Sequence, residues 1–200
     1  MGLNVELVQL SLVETHPLLI KKREQLYERN EKASVDRSFP SYDWQRISYC
    51  FLKLKIGKSC LEVGPGRGYL TELMVRNKTF ERVTAIDIVP RPLLPQAVDF
   101  RTMSVAELEF PDNHFDSVIC MEVLEHLDDT SFKAAVLELR RVCRGQLMIT
   151  VPFCEPMPSK YHLQKFTVDR IEREFPDAKV SILTKEPIMR VPWLLIEEIH

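Results

Sequence analysis

The 200-residue sequence is poor in glycine, in tryptophan and in net charge. It also lacks long apolar runs, and these features limit the classes of protein to which the chain can belong. It has six glycines, two tryptophans and a formal net charge of -2. No stretch approaches the ~18 apolar residues of a membrane-spanning helix. A near-neutral chain also lacks the overall positive charge that draws proteins to nucleic acids or anionic membranes. The composition therefore favours one soluble globular domain.

The cysteines do not indicate a disulfide framework. There are five of them, at Cys50, Cys60, Cys120, Cys143 and Cys154. Their number is odd, no two have C-x-x-C spacing, and most lie in apolar runs, so buried reduced thiols are favoured over disulfides. The first residues also lack the basic-then-apolar pattern of a secretory signal. We therefore predict a cytoplasmic location.

Three of the six glycines fall within five residues, at Gly64, Gly66 and Gly68. The apolar run 60–63 before them predicts a buried strand, and residues 69–75 after them predict a helix. Glycine lets the backbone come close to a ligand because it has no Cβ, and the free N–H groups of the first helical turn point toward that ligand. The pattern therefore predicts a ligand site between this strand and this helix.

Residues 62–68, with the sequence E-V-G-P-G-R-G, resemble motif I of the class I S-adenosylmethionine-dependent methyltransferases. The spacing is G-x-G-x-G, and a tyrosine stands where a dinucleotide-binding fingerprint has its last glycine. The resemblance implies that S-adenosyl-L-methionine is the cofactor. It also implies cofactor-binding roles for Glu62, Gly64, Gly66 and Gly68.

An acidic residue at the end of the second predicted strand supports this resemblance. Asp87 follows Gly68 by nineteen residues, as a strand–helix–strand unit requires. Its two carboxylate oxygens can accept hydrogen bonds from two neighbouring ribose hydroxyls. In the family, nearby residues form the adenine slot, which implies roles for Ile88, Ser104 and Val105. Ser104 departs from the family pattern, because an acid often stands at its position.

A third motif follows the fourth predicted strand of the core. Residues 120–127, C-M-E-V-L-E-H-L, resemble the corresponding motif in small-molecule methyltransferases, including those that O-methylate quinone precursors. Open α/β sheets bind ligands at the carboxyl ends of their strands, which is where this motif lies. The resemblance implies that Met121 and Glu122 contact the cofactor. The three motifs occur in the family's order.

The resemblance implies an α/β, Rossmann-like methyltransferase fold, with a mainly parallel seven-stranded sheet, a terminal antiparallel pair and helices on both faces. We expect a single domain, with a helical cap over residues 1–57 and a cofactor-binding core over 58–200. Within the cap, residues 17–30 and 42–55 predict two helices. Pro90, Pro92 and Pro95 crowd the stretch after Asp87, so we expect a loop or a single turn where most such folds have a full helix.

The expected activity is methyl transfer to a small molecule or a sugar, with oxygen favoured as the acceptor atom. A hydroxyl acceptor must lose its proton, and a histidine suits that task. His126 is the first candidate for the base and His162 is the second, because both are expected at the same edge of the sheet. Two alternatives stay open: an RNA-directed, metal-assisted 2′-O-methyltransferase, and a non-catalytic cofactor-binding partner with this fold.

We assign no residue as a metal ligand, but a metal site stays an alternative. Glu122, Glu125, His126 and His162 resemble the metal-binding set of RNA 3′-terminal 2′-O-methyltransferases. Carboxylates together with imidazoles can hold a divalent ion. Against a metal site, E-x-x-E-H is widespread in methyltransferases that need no metal. The expected partner is a small-molecule acceptor, with nucleic acid disfavoured, no membrane span, and an oligomeric state that the sequence does not indicate.

Overall fold

The structure is a computed structural model, and it describes residues 5–9, 41–90, 94–155, 160–184 and 192–200. One sheet of eight strands lies at its centre. The strands are β1 (Val5–Gln9), β2 (Gly57–Val63), β3 (Phe80–Asp87), β4 (Asp99–Thr102), β5 (Phe115–Met121), β6 (Cys143–Pro152), β7 (Lys179–Thr184) and β8 (Trp193–Ile199).

The strand order is β1-β7-β8-β6-β5-β2-β3-β4. Only β8 runs against its neighbours, β6 and β7, and every other pair is parallel. This arrangement confirms the predicted Rossmann-like fold with its terminal antiparallel pair. The sheet has eight strands instead of the predicted seven, because β1 adds a parallel strand beside β7.

The described helices are α1 (Ser41–Lys53), α2 (Tyr69–Arg76), α3 (Asp129–Val142) and α4 (Val168–Glu174). A short 3-10 turn, Leu124–His126, follows β5. Asp128 caps α3 by accepting hydrogen bonds from two backbone N–H groups of its first turn, and Thr167 caps α4 in the same way with one. Among the residues described, no helix combines the length and the apolar character that crossing a membrane requires.

One local expectation differs from the structure, and another falls on residues that the structure does not describe. The described part of the cap, residues 1–57, contains β1 as well as α1, so it is not purely helical. The predicted helix over 17–30 lies outside the described residues. Gly57 and Gly145 lie within β2 and β6. At Gly145 a Cβ would lie 2.4 Å from the carbonyl oxygen of Asp116, so close strand packing explains this glycine.

Apolar side chains alternate along the central strands and form two main core clusters. On β5, Val118 and Cys120 join the cluster that contains Phe132 of α3 and Phe166, whereas Ile119 joins the cluster that contains α1 and α2. Because successive side chains of a strand point to opposite faces, helices cover both faces of the sheet. Four of the five cysteines are buried and free, as expected, but Cys154 is exposed.

The register of the central strands places three of the predicted motifs at one edge of the sheet. Val63 at the end of β2 lies beside Ile86 of β3 and Cys120 of β5. All three strands are parallel, so their carboxyl ends meet there. Between β3 and β4, the part of the chain that the structure describes contains no helix, as the prolines predicted.

Candidate functional site

The glycine turn after β2 has the backbone conformation that its sequence requires. Gly64, Gly66 and Gly68 have φ angles of 64°, 55° and 73°, in the left-handed region that favours glycine. A Cβ on Gly64 would lie 2.4 Å from the Val123 side chain, and a Cβ on Gly68 would lie 2.6 Å from that of Leu94. A Cβ on Gly66 would meet nothing within 4 Å. Gly66 therefore borders open space that a ligand can enter.

Glu62 lies below the glycine turn and does not line the cleft. It is 5% exposed, and the Thr71 hydroxyl donates a hydrogen bond to its Oε2. Burial raises the pKa of the Glu62 carboxyl to about 7, although the hydrogen bond from Thr71 acts in the opposite direction. The contact ties the end of β2 to the first turn of α2. A direct role for Glu62 in cofactor binding stays a prediction.

On the other side of the turn, Asp87 ends β3 with its side chain at the cleft. Its Oδ1 accepts a 3.1 Å hydrogen bond from the N–H of Val89. The exposed Ser104 hydroxyl accepts a 3.2 Å hydrogen bond from the N–H of Ala106. Ile88 is 73% exposed, which is unusual for so apolar a side chain beside a concave surface. A polar sugar and a flat apolar ring would together match this part of the cleft.

These residues surround one open cleft of about 730 Å³, within the range of small-molecule sites. Eight of the twelve predicted site residues line it: Gly64, Gly66, Asp87, Ile88, Ser104, Val105, Glu122 and His126. Four do not, namely Glu62, Gly68, Met121 and His162. Of these, Gly68 precedes the first turn of α2, and its own backbone N–H bonds the carbonyl of Pro65.

The two candidate histidines lie together. Their ring centroids are 5.1 Å apart. His126 Nδ1 is 3.0 Å from the carbonyl oxygen of Tyr161, which can only accept a hydrogen bond, so Nδ1 carries the proton and Nε2 has the free lone pair in the neutral ring. His162 Nδ1 is 2.7 Å from Glu155 Oε2, which fixes that ring in the same sense. Both imidazoles can therefore use Nε2 as a base or a ligand.

Glu125 lies almost completely buried behind His126. It is 1% exposed, its Oε1 is 4.0 Å from His126 Nε2, and its Oε2 has no hydrogen-bond partner among the described residues. Burial and the neighbouring Glu122 carboxylate raise the pKa of Glu125 well above its ordinary value. The raised pKa favours the neutral form of Glu125, which lessens the negative charge beside Glu122.

Glu125, His126 and His162 also form a possible metal-binding group. One ligand atom from each lies within 4.8 Å of the others. The unpartnered Oε2 of Glu125 and the two free Nε2 atoms suit an ion of mixed oxygen and nitrogen preference, such as Mn²⁺ or Zn²⁺. Glu155 and the carbonyl of Tyr161 would orient the two rings from behind, as second-shell groups do in metal sites.

Several residues of the cleft were missing from the sequence-based assignment. Lys160, Tyr161 and Leu163 line it from the segment after β6, and Val123 and Leu127 line it from the turn after β5. Tyr161 and Leu163 are more than 60% exposed. Little in the sequence indicates these residues, because a loop of ordinary residue types does not show which of its side chains line a site. Their position follows instead from two backbone hydrogen bonds that Leu163 and Gln164 donate to the carbonyl of Glu125.

The sequence has relatives that match its central part. Residues 61–148 match the family described as methyltransferase domain. A ubiquinone biosynthesis O-methyltransferase from Xanthomonas euvesicatoria pv. vesicatoria (strain 85-10) is 40% identical over 97 residues, which cover 42% of this chain and 39% of that protein. The match thus spans about two fifths of the length of the curated relative.

Solved structures extend the similarity to most of the chain. The N-methyltransferase NodS from Bradyrhizobium japonicum WM9, in complex with S-adenosyl-L-homocysteine, superposes with a TM-score of 0.64 at 16% identity, covering 87% of this chain and 97% of that one. The chain has the class I methyltransferase fold. A 1,6-didemethyltoxoflavin-N1-methyltransferase from Burkholderia thailandensis gives a TM-score of 0.60 at 17% identity, over 90% of this chain and 87% of that one.

The methyltransferase fold and the matched domain confirm the resemblance stated from the sequence. The matched residues 61–148 contain the glycine turn, Asp87 and the motif after β5. They exclude α1, His162 and Thr150. The resemblance therefore says least about the parts of the site that lie outside the matched residues.

The raised pKa of Glu62 predicts how stability depends on pH. An acid whose pKa is higher in the folded than in the unfolded chain stabilises the fold fully below about pH 4.5, and this contribution is lost as the pH rises through about 7. The Glu62→Gln variant cannot ionise at this position but still accepts a hydrogen bond. We therefore expect it to remove a pH-dependent decrease in the free energy of unfolding of at most about 3 kcal/mol. Urea unfolding of the ligand-free protein at pH 5 and pH 8 measures it.

The matched control is Glu81→Gln, because Glu81 is an exposed acid on β3. Its unfolding free energy should depend on pH as that of the parent does. If the Glu62→Gln variant lost as much stability between pH 5 and pH 8 as the parent, the interpretation of Glu62 as a buried acid would be wrong.

Proposed function

We propose that this chain is an S-adenosyl-L-methionine-dependent methyltransferase that transfers a methyl group to a hydroxyl of a small molecule. The observation that carries the proposal is one cleft that unites the glycine turn, Asp87, Glu122 and His126. Each comes from a different strand end or turn, and each offers a contact that a nucleoside cofactor or its acceptor needs. Matches to methyltransferase sequences and structures support it.

The cofactor fits the half of the cleft that lies over β2 and β3. The open space at Gly66 admits a ligand against the backbone, and Asp87 can accept hydrogen bonds from ribose hydroxyls. Ile88 and Val105 can cover the two sides of an adenine ring. Ser104 replaces the acid that the family often has, so its hydroxyl or nearby backbone groups must serve the adenine amino group.

Positioning of the acceptor against the cofactor accounts for much of the catalysis. When bound, the cofactor supplies an activated sulfonium methyl group. The protein holds the acceptor in line with it and removes the hydroxyl proton, for which His126 Nε2 is suited because Nδ1 is already bonded to a carbonyl. His126 is 47% exposed at its side chain, so an acceptor can reach it. His162 can support it from 5.1 Å away.

An oxygen acceptor is favoured by the sequence relative and by the histidine pair. The curated relative is an O-methyltransferase, although the solved structures include N-methyltransferases. The segment after β6 borders the acceptor half of the cleft with Lys160, Tyr161 and Leu163. This wall has aromatic, apolar and cationic character, which suits a small phenol or catechol. The four buried free thiols support a cytoplasmic location.

Cofactor binding tests the proposal directly. We expect the parent to bind S-adenosyl-L-homocysteine in isothermal titration calorimetry. Asp87→Asn should weaken binding by roughly tenfold or more, because a carboxylate accepts hydrogen bonds from the ribose more strongly than an amide does. Gly66→Ala should abolish binding while costing about 1–2 kcal/mol of stability, since its Cβ enters the ligand space and its φ is left-handed.

Asp99→Asn is the control, because Asp99 is an exposed acid at the opposite end of its strand from the cleft. Its affinity should equal that of the parent. Equal binding by the parent, Asp87→Asn and Gly66→Ala would refute the cofactor site. A parent that binds the cofactor but methylates no acceptor would instead favour the non-catalytic partner.

The base can be tested separately from cofactor binding. We expect His126→Gln to reduce kcat by about 10²–10⁴-fold, the usual contribution of a positioned base, while leaving the Kd for S-adenosyl-L-homocysteine within about twofold. Release of S-adenosyl-L-homocysteine in the presence of a panel of catechols, phenols and sugars measures kcat. His114→Gln, at the other end of the sheet, should keep full activity. An unchanged kcat in His126→Gln would exclude this base.

The same histidines fit a divalent ion, and Glu125 would be its third ligand. Such an ion would supply Lewis acidity that lowers the pKa of an acceptor hydroxyl. In that arrangement Glu125 gives up its proton to the solvent on binding, and Tyr161 and Glu155 hold the two rings in place. The RNA-directed alternative has no support in the comparisons.

A melting experiment tests the ion without any assay of activity. With excess Mn²⁺ or Zn²⁺, the parent should be stabilised by about 2.7 kcal/mol at an ion concentration of 100 times Kd. His162→Ala should lose this stabilisation because it removes one of three ligands. His114→Ala is the control for adventitious binding to a surface histidine. If the parent and His162→Ala respond equally, the cluster holds no ion.

A further inference from the structure

A buried arginine from α1 lies beside Glu122, which lines the cleft. Arg46 is 7% exposed, and its guanidinium stacks over the ring of Trp193 at 4.8 Å. Its Nη1 donates a 3.1 Å hydrogen bond to Thr150 Oγ1 and lies 3.5 Å from Glu122 Oε1. A charged group is buried in this way only when its partners offset the loss of hydration.

Thr150 connects the arginine to the glutamate. Its hydroxyl accepts from Arg46 and donates a 3.0 Å hydrogen bond to Glu122 Oε1. Its carbonyl accepts a 2.9 Å hydrogen bond from the backbone N–H of Glu122. Both the side chain and the backbone of Glu122 are therefore held by one residue of β6, and the hydroxyl is itself oriented by Arg46.

Glu122 has a backbone conformation that needs such support. Its φ is 54°, in the left-handed region that residues with a Cβ rarely adopt. Strain of this kind costs about 1–3 kcal/mol and is concentrated at functional sites. At a strand end where a glycine would be relaxed, the chain has a glutamate whose side chain lines the cleft. The carboxylate, and not the backbone, is what this position supplies.

The sheet order gives the part of the ligand that Glu122 would meet. β5 lies on one side of β2 and β3 lies on the other, so Glu122 and Asp87 flank the glycine turn from opposite sides. Parallel strands are about 4.8 Å apart, which places the ends of β5 and β3 roughly 10 Å from each other. A cofactor with its ribose at Asp87 would extend its amino-acid end over β2 toward Glu122.

We propose that Arg46 is a positioning residue that aims the Glu122 carboxylate at the ammonium-bearing end of the cofactor. This inference rests on the proposed function. Arg46 acts through two contacts, the hydrogen bond to Thr150 and the ion pair with Glu122, and it touches no ligand itself. It makes α1, which lies outside the matched domain, part of the cofactor site. The acidic neighbours Glu122 and Glu125 share Arg46 as a nearby cation.

A double-mutant cycle with two ligands tests this inference. The ligands are S-adenosyl-L-homocysteine, which carries the ammonium group, and 5′-methylthioadenosine, which lacks the amino-acid end. Arg46→Gln and Glu122→Gln should each weaken binding of the first by roughly tenfold, the size of one hydrogen bond to a charged group. The double variant should bind no more weakly than Glu122→Gln alone, because the arginine acts through the glutamate. Binding of 5′-methylthioadenosine should not change.

Two further variants separate positioning from general support. Thr150→Val breaks the relay without removing a charge, so it should weaken S-adenosyl-L-homocysteine binding about threefold even if Arg46→Gln fails to fold. Arg46→Lys keeps the charge and should recover part of the affinity. Arg140→Gln, which removes a half-buried arginine paired with Glu198 away from the cleft, should lower the melting temperature without changing either Kd.

Each outcome decides the question. Independent, additive effects of Arg46→Gln and Glu122→Gln would overturn the inference, as would equal weakening of both ligands or unchanged binding in Thr150→Val. These results leave the proposed function intact as long as the parent binds S-adenosyl-L-homocysteine. A parent that binds neither ligand would overturn the proposed function and the inference together.

Discussion

The site depends on the parallel pairing of β2 with both β3 and β5. This pairing brings three strand ends to one edge of the sheet, and each strand end contributes a group to the cleft. The glycine turn gives access to the backbone, Asp87 gives a hydrogen-bond acceptor, and Glu122 gives a second acid. A shift of one residue in either register would turn these side chains to the other face of the sheet, so the pairing specifies the site as well as the fold.

A second constraint is the handling of negative charge behind the cleft. Glu122 and Glu155 both lie near the buried Glu125, and full ionisation of all three would be costly. The structure avoids this in two ways. The raised pKa of Glu125 favours its neutral form, and Arg46 lies beside Glu122 as a counter-charge. The cleft can thus present one directed carboxylate and two oriented imidazoles.

Much of this arrangement could be predicted from the sequence, because the glycine turn, Asp87 and the motif after β5 are local patterns at fixed spacing. Contacts between distant segments could not. Arg46 and Thr150 are 104 residues apart, and nothing in a helical pattern indicates that one buried arginine reaches the end of β6. The strand β1 was missed for a similar reason, since its five residues pair with β7, a strand near the other end of the chain. The burial of Glu62 below Thr71 also follows from tertiary packing, which its acid identity does not indicate, and its role in cofactor binding stays a prediction.

The position of β1 affects the order in which the sheet can be completed. Val5 pairs with Val180, so β1 is an outer strand of the described sheet, and β7, its neighbour there, is synthesised late. On a ribosome, the central strands β2 to β5 can pair while β1 still has no partner. Closing so long a loop is slow, and contacts of high sequence separation form late. β1 can therefore pair only after β7 has been synthesised, so its place at the edge of the sheet is filled late.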